Sequence, residues 1–500
     1  MSMVVNGNGN GNGAGGLARQ LDKKVASRPA AASFGVKETR VTFQTHEEVE
    51  LRGTLVRTTR LAVVFELYNP IVTPRLSEAL EGFKIIFQER LIYSGRAIIR
   101  NVVDAGTKIV CEATLDESHW SEVDSSLLVE RDGQISDEFQ IFLREWQKLY
   151  KVSPEFKVVV ADMQSFLQDL RLWLDQVELG VQAQPARKRE ELERKILEAL
   201  QAPALTSLAS LFEKFERLIT KIEKESQSAH SLYAKRALHP LVLCAPFMHR
   251  TYEKPLGYAG DYEMVSMMTR NPFEGGSFYA KILNAFFLNT PPVVAHRNRL
   301  DYLTRSLIAE VYRVKQRRRK ARVFNLGCGP AVEIQRFLAK ATANQNAEFT
   351  LLDFNDETVA QTQLKLNQLI SEHGSGSTIQ VIKKSVMQLL RSRSQFEDSH
   401  YDLVYCAGLF DYLQDPVCIK LVELFYELAA PGGLVLVTNV DASNPSRGWM
   451  ECMVDWHLVY RNARQMNGLL PKWLPKDLTH VIAEPTSVNI FAEIRKPENA

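Results

Sequence analysis

Cysteine is scarce. The 500-residue chain holds six, Cys111, Cys244, Cys328, Cys406, Cys418 and Cys452, and no two form a CxxC pair. That excludes a disulfide-built scaffold and fits a reducing, cytoplasmic setting. HxxH, HExxH and paired Cys/His spacings are missing too, so no metal site is expected. Charge of one sign is not in excess: 61 Lys and Arg face 59 Asp and Glu, a net charge of +2. A protein that coats nucleic acid carries a far larger basic surplus. No apolar run reaches the roughly 20 residues of a membrane-spanning helix. The N-terminus has no cationic start followed by a long apolar stretch, so no secretory signal is read there. Residues 1–34, with their Asn-Gly repeat, are expected to be a disordered tail, because they bury too little to offset ordering entropy. The remainder, 45% apolar and 24% charged overall, is ordinary globular sequence. It is too long for one core, so two to four domains are expected.

What is present changes character along the chain. From Val36 to about residue 125 the segments VELRGTLVRT, LAVVFELYN, FKIIFQERLIYSGRAIIRNVV and KIVCEATL are β-branched and partly alternating. They predict a small barrel or sandwich of short strands. Residues 136–234 are nearly free of glycine and carry apolar residues at helical spacing, in FQIFLREWQKLY, ADMQSFLQDLRLWLDQVELG, RKREELERKILEAL and LTSLASLFEKFERLITKIEKES. These predict a helical bundle or hairpin, and a candidate homodimerisation element. Glu190 and Glu191 precede Arg194 and Lys195 by four residues, the favourable order for ion pairs on a solvated face. Residues 236–319 read as a helical cap and lid. The basic run RVKQRRRKAR that ends at Arg322 reads as a solvated linker. From residue 320 to 497 strands and helices alternate, which predicts an α/β domain with a doubly wound, mostly parallel sheet.

The most informative segment is Asn325-Leu326-Gly327-Cys328-Gly329-Pro330-Ala331. It follows a strand and opens a helix. Gly327 and Gly329 let the backbone turn sharply and approach a ligand with no Cβ in the way. Asp353 ends the next strand, 24 residues after Gly329, where a carboxylate can accept from two ribose hydroxyls. The bland alternative for Asp353 is a helix N-cap. A dinucleotide fold would place glycine where this chain has Val332.

This segment resembles motif I of the class I S-adenosyl-L-methionine (SAM) methyltransferases. Asp353 matches that family's second motif, YDLVYCAGLFDYL (401–413) its fourth, and LAAPGGLVLVTNV (428–440) its post-helix turn and fifth strand. The resemblance implies a Rossmann-like methyltransferase domain with SAM as cofactor. Asn325 stands where the family has an acidic residue, Ala331 where it has a third glycine, and Ser385 where many members have an adenine-contacting Asp. Asn325 still offers an acceptor to the cofactor's ammonium, without the charge.

KPLGYAGDYEMV (254–265) places Tyr258 and Asp261 in a glycine-rich loop able to lid a cofactor. With GLFDYL (408–413) and WMECMVDWHLVYR (449–461), it resembles the methyltransferases that make 3-hydroxy fatty acid methyl esters as bacterial quorum-sensing signals. Trp449, Met453, Trp456 and Tyr460 recur at helical spacing, which suits core packing or one wall of an acyl pocket, with Arg461 at its end to hold a carboxylate. Arg297 and Arg299 are alternative anchors. His457 is the candidate base among otherwise structural histidines. Asp411 and Tyr412, after the fourth strand, are candidates for direct substrate contact, or else an N-cap and a packed aromatic.

The N-terminal strands resemble a PilZ domain, the bacterial c-di-GMP receptor fold. Its RxxxR signature is absent among Arg52, Arg57 and Arg60. Arg96 and Arg100 have the spacing but lie late, inside a strand, with no DxSxxG turn after them. A degenerate, protein-contacting module is therefore expected, without c-di-GMP binding. Three functions follow: carboxyl O-methylation of a 3-hydroxy fatty acid or related acyl substrate, methylation of another small molecule or protein side chain, or a non-catalytic SAM-sensing role. A carboxylate is already anionic at neutral pH, so esterifying it needs orientation more than a base. An amine or phenol would need deprotonation.

Overall fold

Alternating apolar residues build the first module. In a computed structural model, which describes residues 40–45, 50–68, 73–87, 90–104, 108–116, 120, 152–340, 346–391 and 400–498, they form six antiparallel strands. These are β1 (Arg40–Gln44), β2 (Glu50–Thr58), β3 (Ala62–Tyr68), β4 (Ala79–Phe87), β5 (Arg90–Asp104) and β6 (Lys108–Leu115). They close in the order β1-β2-β3-β6-β5-β4, which leaves no open sheet edge. Of barrel and sandwich, the chain forms the barrel. Phe43, Phe65 and Phe83 fill its interior, with ring centroids 5.4–5.6 Å apart.

Seven helices follow: α1 (Pro154–Gln182), α2 (Ala186–Ile219), α3 (Lys224–Val242), α4 (Pro246–Glu253), α5 (Tyr262–Met267), α6 (Phe278–Phe287) and α7 (Pro291–Lys315). The two helical stretches expected between 187 and 226 are one 34-residue helix that runs through Pro203. The missing N–H there costs less than the packing of Leu197, Leu208, Phe212 and Phe215 on either side returns. Glu191 pairs with Lys195 at 2.6 Å as its spacing suggested, whereas Arg194 turns forward to Glu198. The tail 1–34 and the helix expected over FQIFLREWQKLY lie outside the described residues. After α7 the basic run is a turn into the next strand, where Arg319 forks onto Asp402 at 2.5 and 2.6 Å.

The last module is the expected α/β layer. Its elements are β7 (Ala321–Leu326), α8 (Val332–Lys340), β8 (Ala347–Asp353), α9 (Asp356–His373), β9 (Thr378–Lys383), α10 (Val386–Arg391), β10 (Tyr401–Cys406), α11 (Asp415–Leu428), β11 (Ala429–Val440), α12 (Arg447–Met453), α13 (Ala463–Gly468), β12 (Thr479–Ala483) and β13 (Asn489–Arg495). The seven strands run β12-β13-β11-β10-β7-β8-β9. All neighbours are parallel except β13, antiparallel to both β11 and β12. Strand order reverses between β7 and β10, so a crevice opens at their carboxyl ends.

The helix expected across 449–461 stops at Met453. Asp455 takes a left-handed φ of 48° and is held by Lys235 at 2.6 Å, while the Lys254 ammonium donates to the Val454 carbonyl at 2.8 Å. Beyond it the chain continues without helix to Arg461. Trp449 and Met453 join the core of the helical region, where Trp449 sits 4.3 Å from Phe212.

Candidate functional site

The crevice beside β7 opens into a cavity of about 630 Å³. One end is built by the glycine turn. Gly327 (φ 72°) and Gly329 (φ 50°) are left-handed, and the N–H groups of Gly327 and Cys328 both donate to the Leu352 carbonyl. Asp353 then fastens the turn: its carboxylate accepts from the Gly329 N–H at 3.1 Å and from the Asn355 N–H at 3.1 Å. It is not the N-cap of α9; Asn355 has that role, accepting from the Thr358 N–H at 2.9 Å. Burial pushes the Asp353 carboxyl upward, opposed by these N–H groups. A Cβ on Gly329 would meet nothing within 4 Å, so the space above this backbone is open. Behind the turn, Asn325 is buried with Oδ1 unpartnered, while its side chain hydrogen-bonds the Tyr405 hydroxyl. Tyr405 donates on to Glu333 at 2.6 Å. Ala331 sits at φ 49°, a conformation glycine adopts without penalty.

The loop 254–261 covers this end. Tyr258 lines the cavity, its ring 4.9 Å from Phe354. Tyr412 donates to the Ala259 carbonyl at 3.0 Å and accepts from the Trp456 indole N–H at 2.9 Å, which ties loop, β10 end and the 454–461 segment together. Gly260 is needed there, since a Cβ would lie 3.1 Å from the Tyr412 oxygen. Asp261 departs from the expected role. It caps α5 through the Met264 N–H and pairs with Arg250 at 2.9 Å, so it shapes the loop and does not line the cavity.

The other expected residues divide in the same way. Cys328, Asp411, Tyr412 and Trp456 line the cavity. Asp411 accepts from the Val440 N–H at 2.6 Å, and burial raises its carboxyl against the lowering charge of Arg299. Ser385 caps α10, accepting from the Gln388 N–H, while its neighbours Lys384 and Val386 reach the cavity. Arg461 is no anchor: its guanidinium is spent on Asp415, the Phe410 and Leu413 carbonyls and Asn439. Tyr460 packs under Arg447, 4.5 Å from its ring centroid. His457 faces away from this cavity, and burial pushes its imidazole down to about 3, which removes it as a base here.

Residues the sequence reading passed over complete the walls. Phe212, Phe286, Phe287 and Met450, together with the already expected Trp449, extend the cavity into the helical region as an aromatic, apolar channel. Arg75 reaches in from the barrel and stacks on Phe354 at 4.3 Å, where its charge lowers the Asp353 carboxyl. On α7, His296 and Arg299 lie three residues apart, hence on one face. Arg299 Nη2 donates to His296 Nδ1 at 2.7 Å. Because a guanidinium only donates, Nδ1 is the acceptor and the neutral ring carries its proton on Nε2. His296 Nε2 and Arg299 Nε are both buried without a partner. Burial holds the His296 imidazole well below its ordinary value, so it stays neutral. Arg299 is among the expected anchors; His296 is not, and the HxxR spacing is the signal that could have joined the two. Among the described residues, no His, Cys, Asp and Glu group is arranged to hold a metal ion.

Among curated relatives, the ubiquinone biosynthesis O-methyltransferase of Yersinia pestis (strain Pestoides F) is 24% identical over 133 residues, 27% of this chain and 47% of its own. The chain therefore spans about half the length of that relative. Among solved structures, a possible exported protein from Bordetella parapertussis aligns with a TM-score of 0.38 at 16% identity, over 59% of this chain and 97% of that one. The magnesium protoporphyrin IX methyltransferase of Synechocystis PCC 6803 with bound SAH aligns with a TM-score of 0.31 at 12% identity, over 42% and 87%. Residues 323–433, which hold the glycine turn, Asp353 and Asp411, match the family described as a methyltransferase domain, and this part of the chain is a methyltransferase domain.

Proposed function

We propose that this chain is a SAM-dependent methyltransferase that esterifies the carboxylate of an acyl acceptor, a 3-hydroxy fatty acid or a close relative, to give a methyl ester signal. The observation that carries the acceptor class is the Arg299–His296 pair. Both side chains line the cavity with unpartnered donor nitrogens, beside the buried Asp411 and next to the aromatic and aliphatic channel of Phe212, Phe287 and Trp449. A donor-only pair matches an acceptor-only group, which a carboxylate is. Arg299 has room because Gly408 carries no side chain; a Cβ there would lie 3.0 Å from Nη2.

The donor's place is supported by the open space above Gly329, the carboxylate of Asp353 beside it and the unpartnered Asn325 Oδ1. When bound, SAM supplies a methyl group on a positively charged sulfur. The chain's residues do the rest. Asp353 accepts hydroxyl donors, the 254–261 loop and Tyr412 exclude water, and Arg299 holds the acceptor carboxylate in line. Esterification then needs proximity and desolvation, with no proton to remove. The Phe212–Phe287–Trp449 channel seats the acyl chain. We read the barrel as a PilZ-like, protein-contacting module, supported by its Ala79 N–H bond to the Gly257 carbonyl at 2.6 Å. Val158, Leu172 and Leu179 are exposed along α1, which supports homodimerisation through that helix; size-exclusion light scattering giving a monomer would remove it.

Purified protein incubated with methyl-labelled SAM and a lipid extract should yield labelled fatty acyl methyl esters by mass spectrometry. Label found only in amines, phenols or protein would replace the acceptor. Arg299→Gln should raise the acceptor KM at least tenfold and leave donor affinity within twofold. The reverse pattern would assign the pair to the donor's amino-acid end.

A further inference from the structure

A second and larger cavity, about 1350 Å³, lies where the barrel, α3 and the segment after α12 meet. The two cavities share a wall. Along this non-helical segment, Val454, Trp456 and Leu458 line the first cavity, while Asp455 and His457 line the second. Alternate residues thus face opposite sides, so one short segment serves both.

The second cavity is cationic. Six Lys or Arg and four Asp or Glu line it. Lys235 is matched by Asp455 at 2.6 Å, Arg447 by Glu451 at 2.8 Å and Arg96 by Glu253 at 3.6 Å. Arg100 is different. Its guanidinium is oriented by two neutral groups, the Ser228 hydroxyl at 3.0 Å and the Gln227 amide oxygen at 2.8 Å, and it has no carboxylate partner among the described residues. Arg96 keeps a buried Nε with no partner. His457 is 7% exposed, lines the cavity and has Nε2 unpartnered. Its backbone is clamped by Ser77, which accepts from the His457 N–H at 2.6 Å and donates to the His457 carbonyl at 3.0 Å. The backbone that carries the imidazole is therefore held in place, and Nε2 of the ring is unused.

We propose that this cavity is a binding site for a phosphate-bearing small molecule, held by Arg100 and Arg96 with His457 as a third contact. Arg100, pre-oriented by neutral partners, retains its charge for a ligand, and its fork matches phosphate oxygens; Arg96, matched by Glu253, adds its unpartnered Nε. The volume exceeds a single phosphate ion and suits a ligand with an organic portion. An occupant would lie against the back of the wall that carries Trp456. The proposal does not rest on the methyl-transfer reading.

The test is calorimetric titration of the full chain with inorganic pyrophosphate at fixed ionic strength, with citrate as a carboxylate anion of comparable charge. Saturable pyrophosphate binding is expected, at least tenfold weaker in Arg100→Gln. Arg60→Gln, at an exposed position on the rim, should weaken it about threefold and removes folding as an explanation. No saturable heat, equal affinity in both variants and wild type, or citrate binding as tightly as pyrophosphate would overturn the proposal.

Discussion

At the residue scale, Asp353 is placed so that its backbone partners and the ligand role proposed for it coincide. It closes the Gly329 turn and presents its remaining acceptor capacity to the cavity. Asp353→Ala should weaken binding of the demethylated donor product by tenfold or more, since a charged hydrogen bond is worth about 1.5–3 kcal/mol; calorimetry gives the constant directly. His239 makes a separate prediction. Burial and the nearby Lys235 charge hold its imidazole at about 4 against an ordinary 6.5, while its ring N–H donates to the Met453 carbonyl at 2.7 Å. Between those values the unfolded chain binds a proton that the folded chain does not, so this group's contribution to stability falls as pH drops from about 6.5 toward 4. His239→Gln keeps a donor and removes the titration. Denaturation of both proteins at pH 7 and pH 5 should show the variant losing less, by on the order of 1 kcal/mol.

At the scale of elements, the apolar channel depends on how α12 sits on α2. Glu216 accepts the N–H groups of Gly448 and Trp449 at 2.9 and 2.6 Å, which fixes the start of α12 and the Trp449 ring. A Cβ at Gly448 would lie 2.3 Å from the Ile219 methyl and 2.6 Å from the Glu216 carboxylate. Gly448→Ala should therefore cost about 1–3 kcal/mol, read as a lower unfolding midpoint. It should also displace Trp449, read as lost affinity for long-chain acceptors. The sequence periodicity over 449–461 is correct for α12 and misleading beyond it. The spacing of Trp456 and Tyr460 continues the helical stripe, but Lys235 and Lys254 capture Asp455 and the Val454 carbonyl and stop the helix.

At the scale of the whole molecule, the barrel contributes to the walls of the cavity at the sheet's switch point. Arg75 reaches the cavity, and Ser77, itself at φ 61°, joins the barrel to His457 by two hydrogen bonds. Ser77→Ala leaves the buried His457 N–H without its partner, at a cost of about 1–3 kcal/mol. The expected result is a lower unfolding midpoint together with weaker donor binding, because the wall at Trp456 loosens with it. An unchanged donor affinity would show that the barrel is only tethered. Among the described residues no helix is long and apolar enough to cross a membrane.

Local physics made much of this readable in advance. Alternation, helical spacing and a glycine turn followed by a strand-ending acid are properties of neighbouring residues, so the barrel, the helices, the α/β layer and the Gly327–Asp353 end of the cavity could be read in one dimension. The tertiary structure alone decided which charged side chains are spent. Arg461 and Arg299 look equivalent in sequence, yet folding surrounds the first with hydrogen bonds to Asp415, Asn439 and two carbonyls, while the second hydrogen-bonds the neutral His296 and feels the Asp411 charge without a hydrogen bond to it. Whether a guanidinium keeps free donors depends on partners brought from distant parts of the chain, and that is settled only when the layers pack.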